Sequence, residues 1–125
     1  MNTGDRNTGD WNTCNYSSGF FCTEEPKAVI FNAQTDMTVS EFRNSKYYDA
    51  LMSSNFELTK WFYYTKEEME NDVEKQTIGG YLKSYNYKEA CKNWWDNMDE
   101  YNKEIVMSIP NFDKEIFKEI TGIEL

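Results

Sequence analysis

Carboxylates, aromatic rings and three cysteines are the side chains with most to offer chemically, because the chain contains no histidine. Without histidine, the commonest general base near neutral pH and the commonest metal ligand are both missing. Paired carboxylates are plentiful, yet none stands in a motif that would make it an acid or a base. No Ser-His or Cys-His pattern and no phosphate-cradling glycine loop occurs, and Gly79-Gly80 alone reads as a turn. Cys14, Cys22 and Cys91 have neither zinc-ligand spacing nor the even count of a disulfide framework, which fits a reducing cytoplasm. Cys91 falls on the apolar face of a predicted helix and reads as core. No catalytic residue, metal or cofactor is expected.

Two clusters suit binding. Trp94-Trp95 could stack nucleic-acid bases, but neighbours on a helix point about 100° apart, which favours one ring in the core and one at its border. Glu67, Glu68, Glu70, Asp72 and Glu74 form an acidic run beside Trp61 and Tyr63. Such a run is a solvated helix face or a lure for a basic groove. The net charge of -9 argues against direct contact with nucleic acid or an anionic membrane surface. The opening residues lack an apolar run, and no stretch approaches about 18 apolar residues, so neither a signal peptide nor a membrane span is expected.

The elements that position these residues follow from patterning. At 125 residues, with aromatics at 17%, the chain can bury one core. Ala28 to Phe31 suits a strand, and Thr38-Val39-Ser40-Glu41 is a capping box opening a helix over about 39–52. Phe56 to Tyr64 reads as a strand, with Phe56, Leu58, Phe62 and Tyr64 on one side. Thr65-Lys66-Glu67-Glu68 opens a short acidic helix ending before Gly79, and Tyr81 to Tyr85 is a further strand. Asn86 caps the clearest helix, striped by Tyr87, Ala90, Cys91, Trp94, Trp95 and Met98. Asp99 caps a helix carrying Tyr101, Ile105 and Ile109, which Pro110 stops. Asn111 is expected to cap a last helix, with Phe112, Ile116, Phe117 and Ile120 inward and Gly122 at its end.

Residues 2 to 23 repeat every five. Asn2, Asn7, Asn12, Ser17 and Cys22 hold one phase, Thr3, Thr8, Thr13, Ser18 and Thr23 the next, and Gly4, Gly9 and Gly19 a third. A fixed short period is how solenoids are built. Asp5 and Asp10 lie one block apart, but calcium-binding Gly/Asp repeats need a nine-residue period with paired glycines, so no metal is expected. The blocks resemble the Asn/Gly-rich branch of pentapeptide-repeat proteins. That resemblance implies a square right-handed β-solenoid with four blocks per turn, and hence little more than one turn here. One turn cannot bury its own interior. Trp11, Tyr16, Phe20 and Phe21 therefore suggest docking on the body, with stacking on another copy as a homodimer contact, or a mobile tail, as the other outcomes. The fold class is thus α+β: a pentapeptide-repeat, β-solenoid-like stub over 1–23, packed on a small sheet with a helical C-terminal half in a body over 24–125.

The tail resembles small proteins of phages and prophages of Firmicutes. The residues that carry this are Gly79-Gly80-Tyr81-Leu82-Lys83, Trp94-Trp95-Asp96-Asn97, Ile109-Pro110-Asn111-Phe112-Asp113 and Ile120-Thr121-Gly122-Ile123. The resemblance implies provenance more than activity, and the short repeat departs from the longer ones of that group. It implies a cytoplasmic, non-enzymatic accessory protein that binds and inhibits a host nucleic-acid-binding defence effector in the manner of anti-CRISPR proteins. The partner would be a protein such as a Cas nuclease. The alternative is a structural or assembly component of a virion that uses the stub for stacking. The residues expected at the partner face are Glu67, Glu68, Glu70, Asp72, Glu74, Trp61 and Tyr63, with Asp5, Asp10 and Trp11 of the repeat.

Overall fold

In the computed structural model, which describes residues 1–125, residues 2–23 form neither strand nor helix. They bond to themselves with a constant offset. The amides of Thr3, Thr8 and Thr13 donate to the carbonyls of Asn12, Ser17 and Cys22, and those of Tyr16 and Phe21 donate to Asp5 and Asp10. The amides of Asn12, Ser17 and Cys22 donate to the side-chain oxygens of Asn2, Asn7 and Asn12, ten residues earlier in each case. The same three asparagines donate from Nδ2 to the carbonyls of Gly9, Cys14 and Gly19. Two blocks therefore return the chain over itself, not the four of a square coil.

This offset explains the composition of the repeat. An amide side chain both accepts and donates, so each asparagine satisfies two backbone groups that stacking would otherwise leave unpaired. Asn12 is enclosed with only 1% of its surface exposed. Glycine at the third block position allows the close approach: a Cβ on Gly4 would meet the Cys14 carbonyl oxygen at 1.8 Å, and one on Gly9 would meet that of Gly19 at 2.3 Å. Arg6, Trp11, Tyr16 and Phe21 turn the corners with φ of 54, 54, 59 and 55°. Each such left-handed residue costs about 1–2 kcal/mol, which the bonds across turns must offset.

The body is a small α+β fold with two separate two-stranded antiparallel sheets and seven helices, where sequence patterning suggested one small sheet. Strand β1 (Lys27–Ile30) pairs with β2 (Ala33–Thr38) around Phe31-Asn32. Both turn residues have positive φ, as a tight hairpin with the normal strand twist requires. Patterning missed β2, whose residues Ala33 to Thr38 are mostly polar. Thr38 forms the expected capping box with Glu41, but the helix over 39–52 divides into α1 (Val39–Arg43) and α2 (Lys46–Leu51) at Asn44-Ser45.

The second sheet, β3 (Thr59–Tyr63) with β4 (Gly80–Ser84), encloses α3 (Lys66–Met69) and α4 (Val73–Ile78). The expected single acidic helix is broken by Asn71, at φ 60°. Three C-terminal helices follow: α5 (Tyr87–Asp96), α6 (Glu100–Met107) and α7 (Lys114–Thr121). Asn86 and Asp99 cap the first two as expected. The cap of α7 is Asp113, whose Oδ1 accepts from the amides of Glu115 and Ile116. Asn111 instead lies in the left-handed region, with Nδ2 donating to the Ala33 carbonyl at 3.2 Å. Gly122 ends α7 at φ 78°, and Lys88 Nζ donates to the last carbonyls of Glu119 and Ile120.

The core joins α2 to these helices through Ala50, Trp95, Met98, Val106, Ile109 and Phe117. Trp95 meets Phe117 edge-on at 5.3 Å. Ile105 and Ile116 are half-buried, and Val106 takes the deepest place on α6 while Tyr101 and Ile120 are exposed. Of the four residues expected to dock the repeat, Trp11, Phe20 and Phe21 are exposed. Tyr16 does link it to the body: Arg43 Nη1 donates to the Tyr16 hydroxyl at 3.1 Å, which pushes the guanidinium pKa up from its ordinary value. No helix is long and apolar enough to cross a membrane.

Candidate functional site

Residues 59–84 form an arm with almost no interior, in which Gly80 is the single buried residue. Its local order comes from turns and caps. The Thr65 hydroxyl and the Glu68 carboxylate cap α3 reciprocally, Asp72 Oδ1 accepts from the Lys75 amide, and Gly79 ends α4 at φ 82°. These contacts fix the backbone without burying side chains, so apolar surface remains outside.

The two faces of the arm differ. Trp61 pairs with Leu82 and Tyr63 with Gly80, so their side chains share one face. There Trp61, Tyr63 and Leu82 are 43%, 81% and 61% exposed, and the Trp61 and Tyr63 rings meet edge-on at 6.3 Å. The indole lies over Gly80, where a Cβ would meet it at 2.7 Å. On the opposite face Phe62 stacks on Tyr81 at 5.8 Å and Tyr64 leans on the same ring. Lys60 lies over Phe62, Lys75 over Tyr64 and Lys83 over the neighbouring Tyr85. Lysines thus cover Phe62 and Tyr64 on one face, where Tyr81 stays 41% exposed, and none lies over the rings of the other, open face.

The acidic run divides in the same way. Glu68 and Asp72 are occupied as caps. Glu67, Glu70 and Glu74 are exposed, and none of their carboxylates takes part in a hydrogen bond or in any of the four ion pairs of the structure. Trp61, Tyr63 and the five acidic residues thus come together on one arm. Asp5, Asp10 and Trp11 do not join them, because they belong to the N-terminal coil, where Asp10 Oδ1 binds the Met1 amine at 2.6 Å. Sequence reasoning missed Leu82, although its period-two phase with Gly80 and Ser84 could have paired it with Trp61.

Other features carry less. Trp94 is half-buried and donates from Nε1 to the Leu51 carbonyl at 2.9 Å, while Trp95 is buried, so neither offers a stacking platform. Cys91 is buried, and its charge, followed by burial, raises the pKa of the neighbouring Tyr87 hydroxyl. A polar cleft of about 440 Å³ at the base of the arm is lined by Ser53, Glu57, Lys60 and Asn93 among others. An apolar groove of about 550 Å³ runs between the first hairpin and α7, over Ile30, Phe42, Trp94 and Ile116.

No protein-family model matches the chain, and neither a curated protein nor a solved structure matches it.

Proposed function

We propose that this chain is a non-enzymatic, phage-type accessory protein that binds and inhibits a basic, nucleic-acid-binding defence effector, as anti-CRISPR proteins do. The observation that carries the reading is the arm, which exposes Trp61, Tyr63 and Leu82 on its sheet and three unpaired carboxylates, Glu67, Glu70 and Glu74, on the segment between its strands. Aromatic anchors hold complexes, and unpaired carboxylates at the rim speed encounter with a basic surface. The charge of -9 supports the same partner class and opposes nucleic acid as a direct ligand. The N-terminal segment is read as a short pentapeptide solenoid of two blocks per turn, rigid enough to hold Trp11 and Phe21 in a ladder.

The test is affinity capture from a bacterial lysate, followed by competition with nucleic acid. The reading expects a basic nucleic-acid-binding protein, such as a Cas nuclease, that the chain and nucleic acid bind exclusively of one another. A captured protein that holds both at once contradicts it. A second reading, a virion or assembly component, is favoured by one feature of the coil. The amides of Arg6, Asn7 and Trp11 donate to nothing, so the outer edge of the first turn is open to stacking or to a homodimer contact. Capture of capsid or tail proteins favours that reading.

A further inference from the structure

We propose that the free edge of β3 takes up an extended, basic-ended strand of the partner in antiparallel pairing. This rests on the partner reading above and specifies the manner of binding.

The Tyr85 amide donates to the Leu58 carbonyl and the Tyr64 amide to that of Gly79. Bonded pairs in an antiparallel ladder recur at every second residue, so Lys60 with Lys83 and Phe62 with Tyr81 are the bonded pairs between them. The amides and carbonyls of Thr59, Trp61 and Tyr63 then point away from β4. No other element pairs with β3. Their side chains stand on the open face, so the residues that offer free backbone groups also offer Trp61 and Tyr63.

Natural sheets protect such edges with charged side chains, lysine above all, or with proline, a bulge, a very short strand or a covering loop. The β3–β4 ladder is regular over all five of its pairs and β3 contains no proline. Lysines Lys60 and Lys83 lie over aromatic rings of the other face. An added strand would exchange its bonds with Thr59, Trp61 and Tyr63 and lay alternate side chains on the exposed rings. Its N-terminal end, running antiparallel, would pass Tyr63 toward α3 and α4, where Glu67, Glu70 and Glu74 are unpaired. Basic residues belong at that end. A second copy of this chain is disfavoured as the occupant, because it would bring a charge of -9 against -9.

Three synthetic peptides test this against the full-length chain. The first is Lys-Lys-Arg-Thr-Val-Thr-Val-Thr, the second carries N-methyl groups on both valines, and the third on the second and third threonines. Valine side chains that lie on Trp61 belong to residues whose amides face β3, so only valine methylation blocks pairing. The expected result is binding by the first and third peptides, loss of at least about tenfold for the second, and slowed amide exchange at Trp61 and Tyr63. The Trp61→Ser variant should weaken the first peptide while its own far-ultraviolet spectrum is unchanged. Equal affinity for all three peptides overturns the proposal, as does absence of protection at Trp61 and Tyr63. Protection that rises with protein concentration without peptide also overturns it, by assigning the edge to self-pairing. Competition between partner and nucleic acid is a separate measurement, so strand addition can fail while the inhibitor reading stands.

Discussion

Trp11 and Phe21 stack with their ring centroids 5.3 Å apart and their planes 3° apart, ten residues distant in the chain. Arg6 lies over Tyr16 at 5.9 Å with the same separation. Both pairs occupy the left-handed corners, so each corner residue sits above its counterpart one turn away. The coil is held from inside by asparagine and from outside by these two ladders.

Asn12 is the centre of that arrangement, since it bonds the Gly19 carbonyl and the Cys22 amide while fully enclosed. Asn12→Ala should leave those groups unpaired and cost about 2 kcal/mol, at the upper part of the range for lost buried bonds. Asn2→Ala, at the exposed end, should cost less. Amide exchange at Cys22, whose amide donates to Asn12 Oδ1, and at Asn12, whose amide donates to Asn2 Oδ1, reads the difference. Equal protection in wild type and Asn12→Ala would show that the coil does not depend on its interior amides.

In the body, Trp95→Ala should cost about 3–5 kcal/mol, because the ring fills the centre of the core against Phe117. Ile120→Ala should cost under about 0.5 kcal/mol, since Ile120 is exposed. Denaturant midpoints of the two variants give the comparison. Similar shifts would mean that the inner face of the helical half is assigned to the wrong residues.

The α1 cap has a pH signature. The Glu41 carboxylate accepts from the Thr38 amide and, next in importance, is bonded to the Thr38 side chain, which together hold its pKa below the ordinary carboxylate value. A depressed folded-state pKa contributes stability above the unfolded value and loses it as pH falls through the folded one. Titration of Glu41 by carboxyl carbon shifts should show the depressed value in the wild type and only a partial rise in Thr38→Ala, which keeps the backbone amide and loses the hydroxyl. A full return to the ordinary range in the variant would contradict the backbone amide as the larger cause.

Much of the fold was legible because its signals are local. Thr38, Thr65, Asn86 and Asp99 cap helices in place, and Gly122 ends the last one. Several misreadings concern partners distant in sequence. Asn111 looked like a cap, but its amide reaches the carbonyl of Ala33 across the fold. The repeat showed its five-residue period, while the number of blocks per turn depends on which asparagine meets which amide. The acidic run was visible at the arm, but the division between capping Glu68 and Asp72 and unpaired Glu67, Glu70 and Glu74 appears only in three dimensions. Trp11 looked like a docking residue because apolarity says nothing about which way a left-handed corner points.

That division sets the most direct measurement. With the partner captured by the full-length chain, association is followed across a salt series for Glu67→Lys/Glu70→Lys/Glu74→Lys and for wild type. Carboxylates at a binding rim act mainly on encounter. The triple variant should associate more slowly, with a shallower salt dependence and little change in dissociation, while the circular dichroism of the fold is retained. Association that is unchanged at every salt concentration would contradict this role of the three carboxylates and leave the acidic arm as a solvated surface.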